Sequence, residues 1–431
     1  MTISIRKARL VANKLKWKLS SQFVRNMGWL GGAELVNRVF RLVTTITLAR
    51  LLNSYEYGLI AIILITHDFA GTFCSAIDAK IIQAPDKDLK VLCDTAYWMN
   101  WILFVVLFIL QCAVAFPLAW FYKDNNIVLP VCFIALSYLL LPIGAIQSSL
   151  IRRENRLNIT ALINVLQGIA LNVATIALAF LGFGIWSVIL PFGLATPIWL
   201  VINLMNHSWR PKKSFTLYKW QEVAGYSVNI IVVEFLNKLR ANLDYLIVGK
   251  FLGFNELGLY YFAFNAGLGI SMNVLNVIVS SLFPHLCAAR TNLSQLKSTY
   301  FSSIKTIAFI VIPLVLLQSS LAPFYVPIIF GQKWIPAIPI LVLICLSAIS
   351  RPFAEAAKLL LLTIDKSRIA LAWNLIFTLI FAVSLLVAVQ WGVLAVAAAV
   401  LITHIVLLPL FTLWTSKYVF GSSSHNMTIS S

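Results

Sequence analysis

The chain has 431 residues, of which 60% are hydrophobic and 11% charged, and it carries a net charge of +18. Soluble domains carry about 25% charged residues, so this composition excludes a soluble enzyme, a nucleic-acid-binding domain and a disordered protein. It also excludes a β-barrel, whose strands alternate apolar and polar residues.

The first 25 residues are basic, and the apolar run that follows holds Glu34, Arg38 and Arg41, which makes a poor signal-peptide core. A bilayer-crossing helix needs roughly 20 apolar residues. Runs bounded by charges, Pro and Gly predict twelve: 27–51, 57–83, 95–119, 128–150, 159–181, 184–206, 223–250, 257–283, 303–329, 335–362, 369–390 and 393–416. The expected fold is an all-α polytopic membrane protein with two pseudo-symmetric six-helix lobes. A basic tail (1–25) precedes the N-lobe (26–206), an inter-lobe loop (207–222) follows, then the C-lobe (223–416) and a C-terminal tail (417–431).

Lys and Arg set the orientation. The N-terminal tail, alternate loops and the C-terminal tail hold 21 of them, and the opposite loops and helix ends hold four. Cytoplasmic loops collect Lys and Arg, so both termini are expected in the cytoplasm. The DxD sequence Asp86-Lys87-Asp88 falls in a cytoplasmic loop and reads as a solvated turn. Six scattered cysteines form no CxxC or Cys/His cluster. No catalytic residue, metal or cofactor is expected.

Charges inside spans need a reason. Each costs about 2.5–3.5 kcal/mol at a helix centre, against about 0.3–0.6 returned per large apolar residue. Glu34, Arg38 and Arg41 lie at i, i+4, i+7 on one face of the first span, beside Asn37, with Glu34 placed to pair with Arg38. Asp68 and Asp78 line the second span. The seventh carries Glu234, Asn237 and Lys238, and a second i, i+4 pair in Arg240 and Asp244. The eighth has an uncharged stripe with Asn265, Asn273 and Asn276. The tenth repeats the i, i+4, i+7 pattern in Arg351, Glu355 and Lys358. Such faces are expected toward protein or a hydrated cavity, away from lipid. His67 adjoins Asp68 and reads as a packed histidine, with a proton relay as the alternative.

Residues 34–59 align without a gap on 234–259. Glu34, Asn37, Leu52, Glu56, Gly58 and Leu59 meet identical residues, and Arg38 and Arg50 meet lysines. Pro142 and Pro352 form a weaker echo. The two halves therefore read as parallel copies of one unit, with the substrate site expected between repeats near the midplane.

The stretch Ala49-Arg50-Leu51-Leu52 with Glu56-Tyr57-Gly58, the stretch Asn242-Leu243-Asp244-Tyr245-Leu246-Ile247-Val248-Gly249-Lys250 with Leu257-Gly258-Leu259-Tyr260, and Pro284 carry a family resemblance. Over residues 20–416 the chain resembles the polysaccharide exporters of the MOP superfamily, and more closely it resembles Wzx-type flippases and the colanic-acid exporter-like group. The resemblance implies two six-helix lobes in a bacterial inner membrane. It implies alternating-access translocation of undecaprenyl-diphosphate-linked oligosaccharide through a cation-lined cavity, commonly with ion coupling. Its expected partners are that substrate, the bilayer, a polysaccharide polymerase and a chain-length regulator, with the chain itself a monomer. Arg38, Arg41, Lys238, Arg240 and Arg351 become the substrate-binding candidates, since guanidinium groups suit bidentate phosphate contact. Glu34, Asp68, Glu234 and Asp244 become the ion-coupling candidates. Asn37, Asn237, Asn265, Asn273 and Asn276 become the polar cavity lining. The alternatives are another MOP-type exporter of lipid II or drugs, and a membrane polymerase or glycosyltransferase.

Overall fold

Apolar backbone in lipid has no water to bond, so each segment must satisfy its own N–H and C=O groups, and a helix does this internally. The computed structural model describes residues 28–421 apart from 213, 214, 216, 219 and 291, with the side chains of 74–79, 222–233 and 268–281 outside the description. The basic tail, Asp78, Asn273 and Asn276 therefore lie outside the described residues.

Among the described residues the regular structure is helical. α1 covers 28–51. It is followed by α2 (Ser54–Gln83), α3 (Asp86–Tyr122), α4 (Val128–Ala135), α5 (Leu141–Arg153), α6 (Leu157–Phe180) and α7 (Trp186–Asn206). The second half holds α8 (Trp220–Ala289), α9 (Leu293–Tyr325), α10 (Ile338–Ser347), α11 (Arg351–Thr363), α12 (Ser367–Ala388) and α13 (Val393–Phe420). Seven helices among the described residues are long and apolar enough to cross a membrane. The broken pair Asn125–Leu139 with Leu141–Arg153, bent by 54°, makes an eighth. α1, α2 and α8 fall outside this set and carry most of the charges noted above.

Two boundaries differ from expectation. α3 starts at Asp86, not near 95, because Pro85 precedes it in an extended conformation and Asp86 and Asp88 occupy its first turn, where carboxylates favour a helix N-terminus. The DxD sequence thus opens a helix. The seventh and eighth spans are two helices, labelled together as α8, that meet in a kink at Gly253 (φ 85°, ψ 176°) with no linker between them. That conformation is open to glycine alone.

Breaks recur at matching places in the two halves. α4 and α5 are split just before Pro142, and α10 and α11 just before Pro352. Left-handed residues then follow in pairs 210 positions apart: Asn155 with Asp365, and Gly182 with Gly392. Both prolines lie in the first turn of a helix, where a missing N–H costs nothing.

The chain forms two compact units, one of residues up to Leu51 with Ile63–Lys238, the other of Leu52–Ile62 with Leu239–Ser431. The start of α2 thus packs with the second half, whereas the sequence assigned all of it to the first. Glycine causes this. A Cβ on Gly58 would lie 2.1 Å from the Phe254 carbonyl oxygen, and one on Gly258 would lie 1.7 Å from that of Ser54. Ser54 and Phe254 are themselves 200 positions apart, so the contact is reciprocal. Around it Tyr57 packs edge-on to Phe262 and Trp334, and Trp334 stacks on Phe262 at 4.0 Å. Lys333 donates to the Leu52 carbonyl at 2.6 Å. Asn53 and Glu56 exchange hydrogen bonds at 2.9 Å each way, a capping box that starts α2.

Candidate functional site

The second unit holds a partly open cavity of about 520 Å³ lined by α8, α11, α12 and α13. The α11 face supplies Arg351, Glu355 and Lys358, whose spacing places them together on one side. α8 supplies Arg240, Asp244 and Phe264. α12 supplies Trp373, Asn374, Phe377 and Phe381, and α13 supplies His404 and Phe411.

The expected Arg240–Asp244 pair does not form. Arg240 Nη1 donates to Asn374 Oδ1 at 2.7 Å. Asp244 is buried and accepts from the Tyr260 hydroxyl at 2.7 Å and from the Tyr245 N–H at 3.0 Å. Arg240 finds its partner across the interface with α12, whereas Asp244 finds both of its partners within α8. Lys358 and Glu355 do pair, at 2.6 Å. Arg351 is left. Its guanidinium carbon lies 5.9 Å from the Phe264 ring centroid, within cation–π range, and its Nε is buried with no hydrogen-bond partner. A buried donor without a partner is uncommon, and leaving one costs about 1–3 kcal/mol. The wall opposite is aromatic. Trp373 stacks on Phe411 at 4.5 Å with planes 4° apart, and His404 sits edge-on to Phe377 and Phe381. His404 Nδ1 lies 2.7 Å from the Val400 carbonyl oxygen, which makes that nitrogen the donor.

The other sequence-derived candidates of the second unit are elsewhere. Asn265 is exposed and donates back to the Tyr261 carbonyl one turn earlier. In the first unit, Glu34 pairs with Arg41 at 3.0 Å, not with Arg38, and both side chains are more than half exposed. Asn37 donates to the Asn164 carbonyl at 3.0 Å and packs on Gly168, so it holds α1 against α6. Lys238 donates to the Asp68 carbonyl at 2.5 Å, joining α8 to α2. Arg38 and Asn237 are partly buried, while Glu234 and Asp68 are exposed. His67 is packed, as read, with its ring stacked on Tyr138, and its Nδ1 lies 2.8 Å from the Tyr138 hydroxyl. That hydroxyl also reaches Gln111 Oε1 at 2.9 Å, while Gln111 Nε2 donates to the Val131 carbonyl.

Of the five cationic candidates, the cavity gathers Arg240 and Arg351. Of the four carboxylates, it gathers Asp244. It adds Asn374, His404 and the aromatic residues, which the sequence analysis did not single out. Asn374 and His404 each interrupt an otherwise uncharged apolar run, and that isolation is a signal. Trp373 and Phe411 are indistinguishable in sequence from lipid-facing aromatics.

Residues 47–339 match a family described as "Polysaccharide biosynthesis protein". The chain is 26% identical over 347 residues to the teichuronic acid biosynthesis protein TuaB of Bacillus subtilis (strain 168), covering 79% of this chain and 71% of that one. It is 24% identical over 420 residues to the lipopolysaccharide biosynthesis protein WzxC of Escherichia coli (strain K12), covering 96% and 84%. Among solved structures, the lipid II flippase MurJ in an inward closed conformation superposes with a TM-score of 0.71 over 90% of this chain and 87% of that one, at 14% identity. A match over more than half of the chain, on a bundle of this fold, shows that it belongs to the polysaccharide biosynthesis protein family, as a multi-pass membrane protein.

Proposed function

We propose that the protein is a flippase that moves undecaprenyl-diphosphate-linked oligosaccharide repeat units across a bacterial inner membrane for surface polysaccharide biosynthesis. It acts by alternating access and carries out no covalent step. Twelve spans with both termini cytoplasmic complete this reading, and the alternation of basic loops supports it. The observation that carries the proposal is the pair of guanidinium groups, Arg240 and Arg351, in one cavity of an apolar bundle. Fixed positive charge in a low-dielectric setting is costly unless an anionic cargo visits it. Lipid-linked oligosaccharides carry anionic groups on acidic sugars as well as on the diphosphate, and the names of the relatives refer to polysaccharide biosynthesis.

Of the four carboxylates considered for coupling, Asp244 is the buried one, and we assign ion coupling to it. The test is translocation in proteoliposomes of a fluorescent undecaprenyl-diphosphate oligosaccharide, scored by the label reaching the opposite leaflet. The wild-type protein is expected to move it. Arg240→Gln with Arg351→Gln is expected to lower the rate at least tenfold. Asp244→Asn is expected to move the label at a rate indifferent to an imposed proton or sodium gradient. A wild-type protein that leaves the label in place overturns the proposal.

A further inference from the structure

We infer that the cavity of the second unit is a saccharide subsite that admits one acidic pyranose, a carboxylate-bearing sugar of the repeat unit. The inference rests on the flippase reading for its biological setting. It rests on the cavity alone for its chemistry.

Charge comes first. Arg240, Arg351 and Lys358 face Asp244 and Glu355, which leaves one positive charge in excess. Lys358 and Glu355 satisfy each other, and Asp244 is held by Tyr260 and the Tyr245 N–H. Asp244 thus answers one of the two guanidinium groups, one positive charge remains between Arg240 and Arg351, and the buried Nε of Arg351 still lacks an acceptor. A guanidinium group presents a planar fork that a carboxylate meets with two parallel hydrogen bonds. A single carboxylate therefore balances both the charge and the missing bond. A diphosphate brings at least one more negative charge than the cavity neutralises. A metal cation would face three positive side chains, and among the described residues no cluster of three metal-ligating side chains exists.

Shape comes second. A volume of about 520 Å³ lies within the usual range of small-molecule sites, about 300–1,000 Å³. Much of the wall is aromatic, with Trp373 stacked on Phe411 and Phe377 near Phe381. A phosphate has no apolar face to lay on such rings, whereas a pyranose has one, lined by C–H groups. The remaining polar groups, Asn374 and His404, suit hydroxyls. Arg240 and Asn374 hold each other at 2.7 Å, which fixes the amide where a ring hydroxyl would reach it.

The experiment uses the full-length protein in nanodiscs and three probes: methyl glucuronide, methyl glucoside and inorganic diphosphate. Ligand-observed NMR competition reads their affinities. The glucuronide is expected to bind at least tenfold more tightly than the glucoside, and diphosphate is expected not to displace it. Arg351→Gln and Trp373→Ala are each expected to weaken the glucuronide at least tenfold. Arg351→Lys, which keeps the charge and loses the fork, replaces Arg351→Gln if that variant does not fold and is expected to weaken binding by a similar factor. Equal binding of glucuronide and glucoside, displacement by diphosphate, no binding of the glucuronide, or indifference to these substitutions overturns the inference. A second arm separates it from the flippase reading by presenting lipid-linked disaccharides that end in glucose or in glucuronic acid to proteoliposomes. Transport of neither overturns the flippase reading. Equal transport of both, with Arg351→Gln slowing both alike, overturns the subsite and leaves the flippase standing.

Discussion

Single glycines decide how the two halves of the sequence meet within the second unit. The Gly58 and Gly258 hydrogens face carbonyl oxygens at distances no methyl group fits. Gly58→Ala and Gly258→Ala are each expected to destabilise the protein by about 1–3 kcal/mol, as overpacking does, read as a lowered midpoint in thermal unfolding in detergent. Gly71, on the same helix as Gly58, has open space where its Cβ would go. Gly71→Ala is expected to raise the midpoint slightly, since glycine within a helix costs about 0.5–1 kcal/mol relative to alanine. The matching of Gly58 with Gly258 was legible as an ungapped identity in apolar sequence. That each packs on the partner of the other was not, because an alignment of two segments says nothing about whether they touch. The cavity shows the same division. The i, i+4, i+7 spacing of Arg351, Glu355 and Lys358 was legible along one helix. The choice of Asn374 over Asp244 by Arg240 was not, because it depends on which helices stand side by side.

Helix ends show how short polar segments are held. The segment after α7 lies along the ends of α3, α5 and α7. Gln147 donates to the Trp209 carbonyl at 3.2 Å, Thr95 to that of Tyr218 at 2.6 Å and Arg210 to that of Leu204 at 2.8 Å. Trp209 packs on Tyr97, and Phe215 on Trp98. Lys212 reaches Asp94 at 3.0 Å, where the lysine side chain is 57% exposed and the aspartate side chain 6%. Removing the two partners is not equivalent. Lys212→Ala strands a buried carboxylate and is expected to cost about 1–3 kcal/mol. Asp94→Asn frees a lysine that water already reaches, and it is expected to cost less. Comparison of the two variants by thermal unfolding checks the order. Composition marked this stretch as a loop between lobes, and its polar character was plain. Its docking on α3 was hidden by the reading of residues 86–94 as loop, when they are the first turns of a helix.

At the scale of the molecule, the paired helix breaks at 155 with 365 and 182 with 392 extend the duplication well past the 26 aligned positions. One pair is glycine in both halves, and the other sets asparagine against aspartate, so there the similarity survives in backbone conformation where the side chain has changed. The orientation of the whole is tested by cysteine substitution in otherwise cysteine-free protein. Asn126→Cys is expected to react with a membrane-impermeant maleimide in intact cells. Glu154→Cys is expected to react only after the membrane is opened. The reverse pattern would invert the assignment of the termini.

The reciprocal crossing of Gly58 and Gly258 bears on ancestry. A surface that fits its own copy is all that a half-length forebear requires to assemble as a symmetric pair. Two such polypeptides, related by a two-fold axis, would bring Gly58 of each against Ser54 and Gly58 of the other. Gene fusion would then have made permanent a dimer that already existed, and the glycines would be the relic of its original interface.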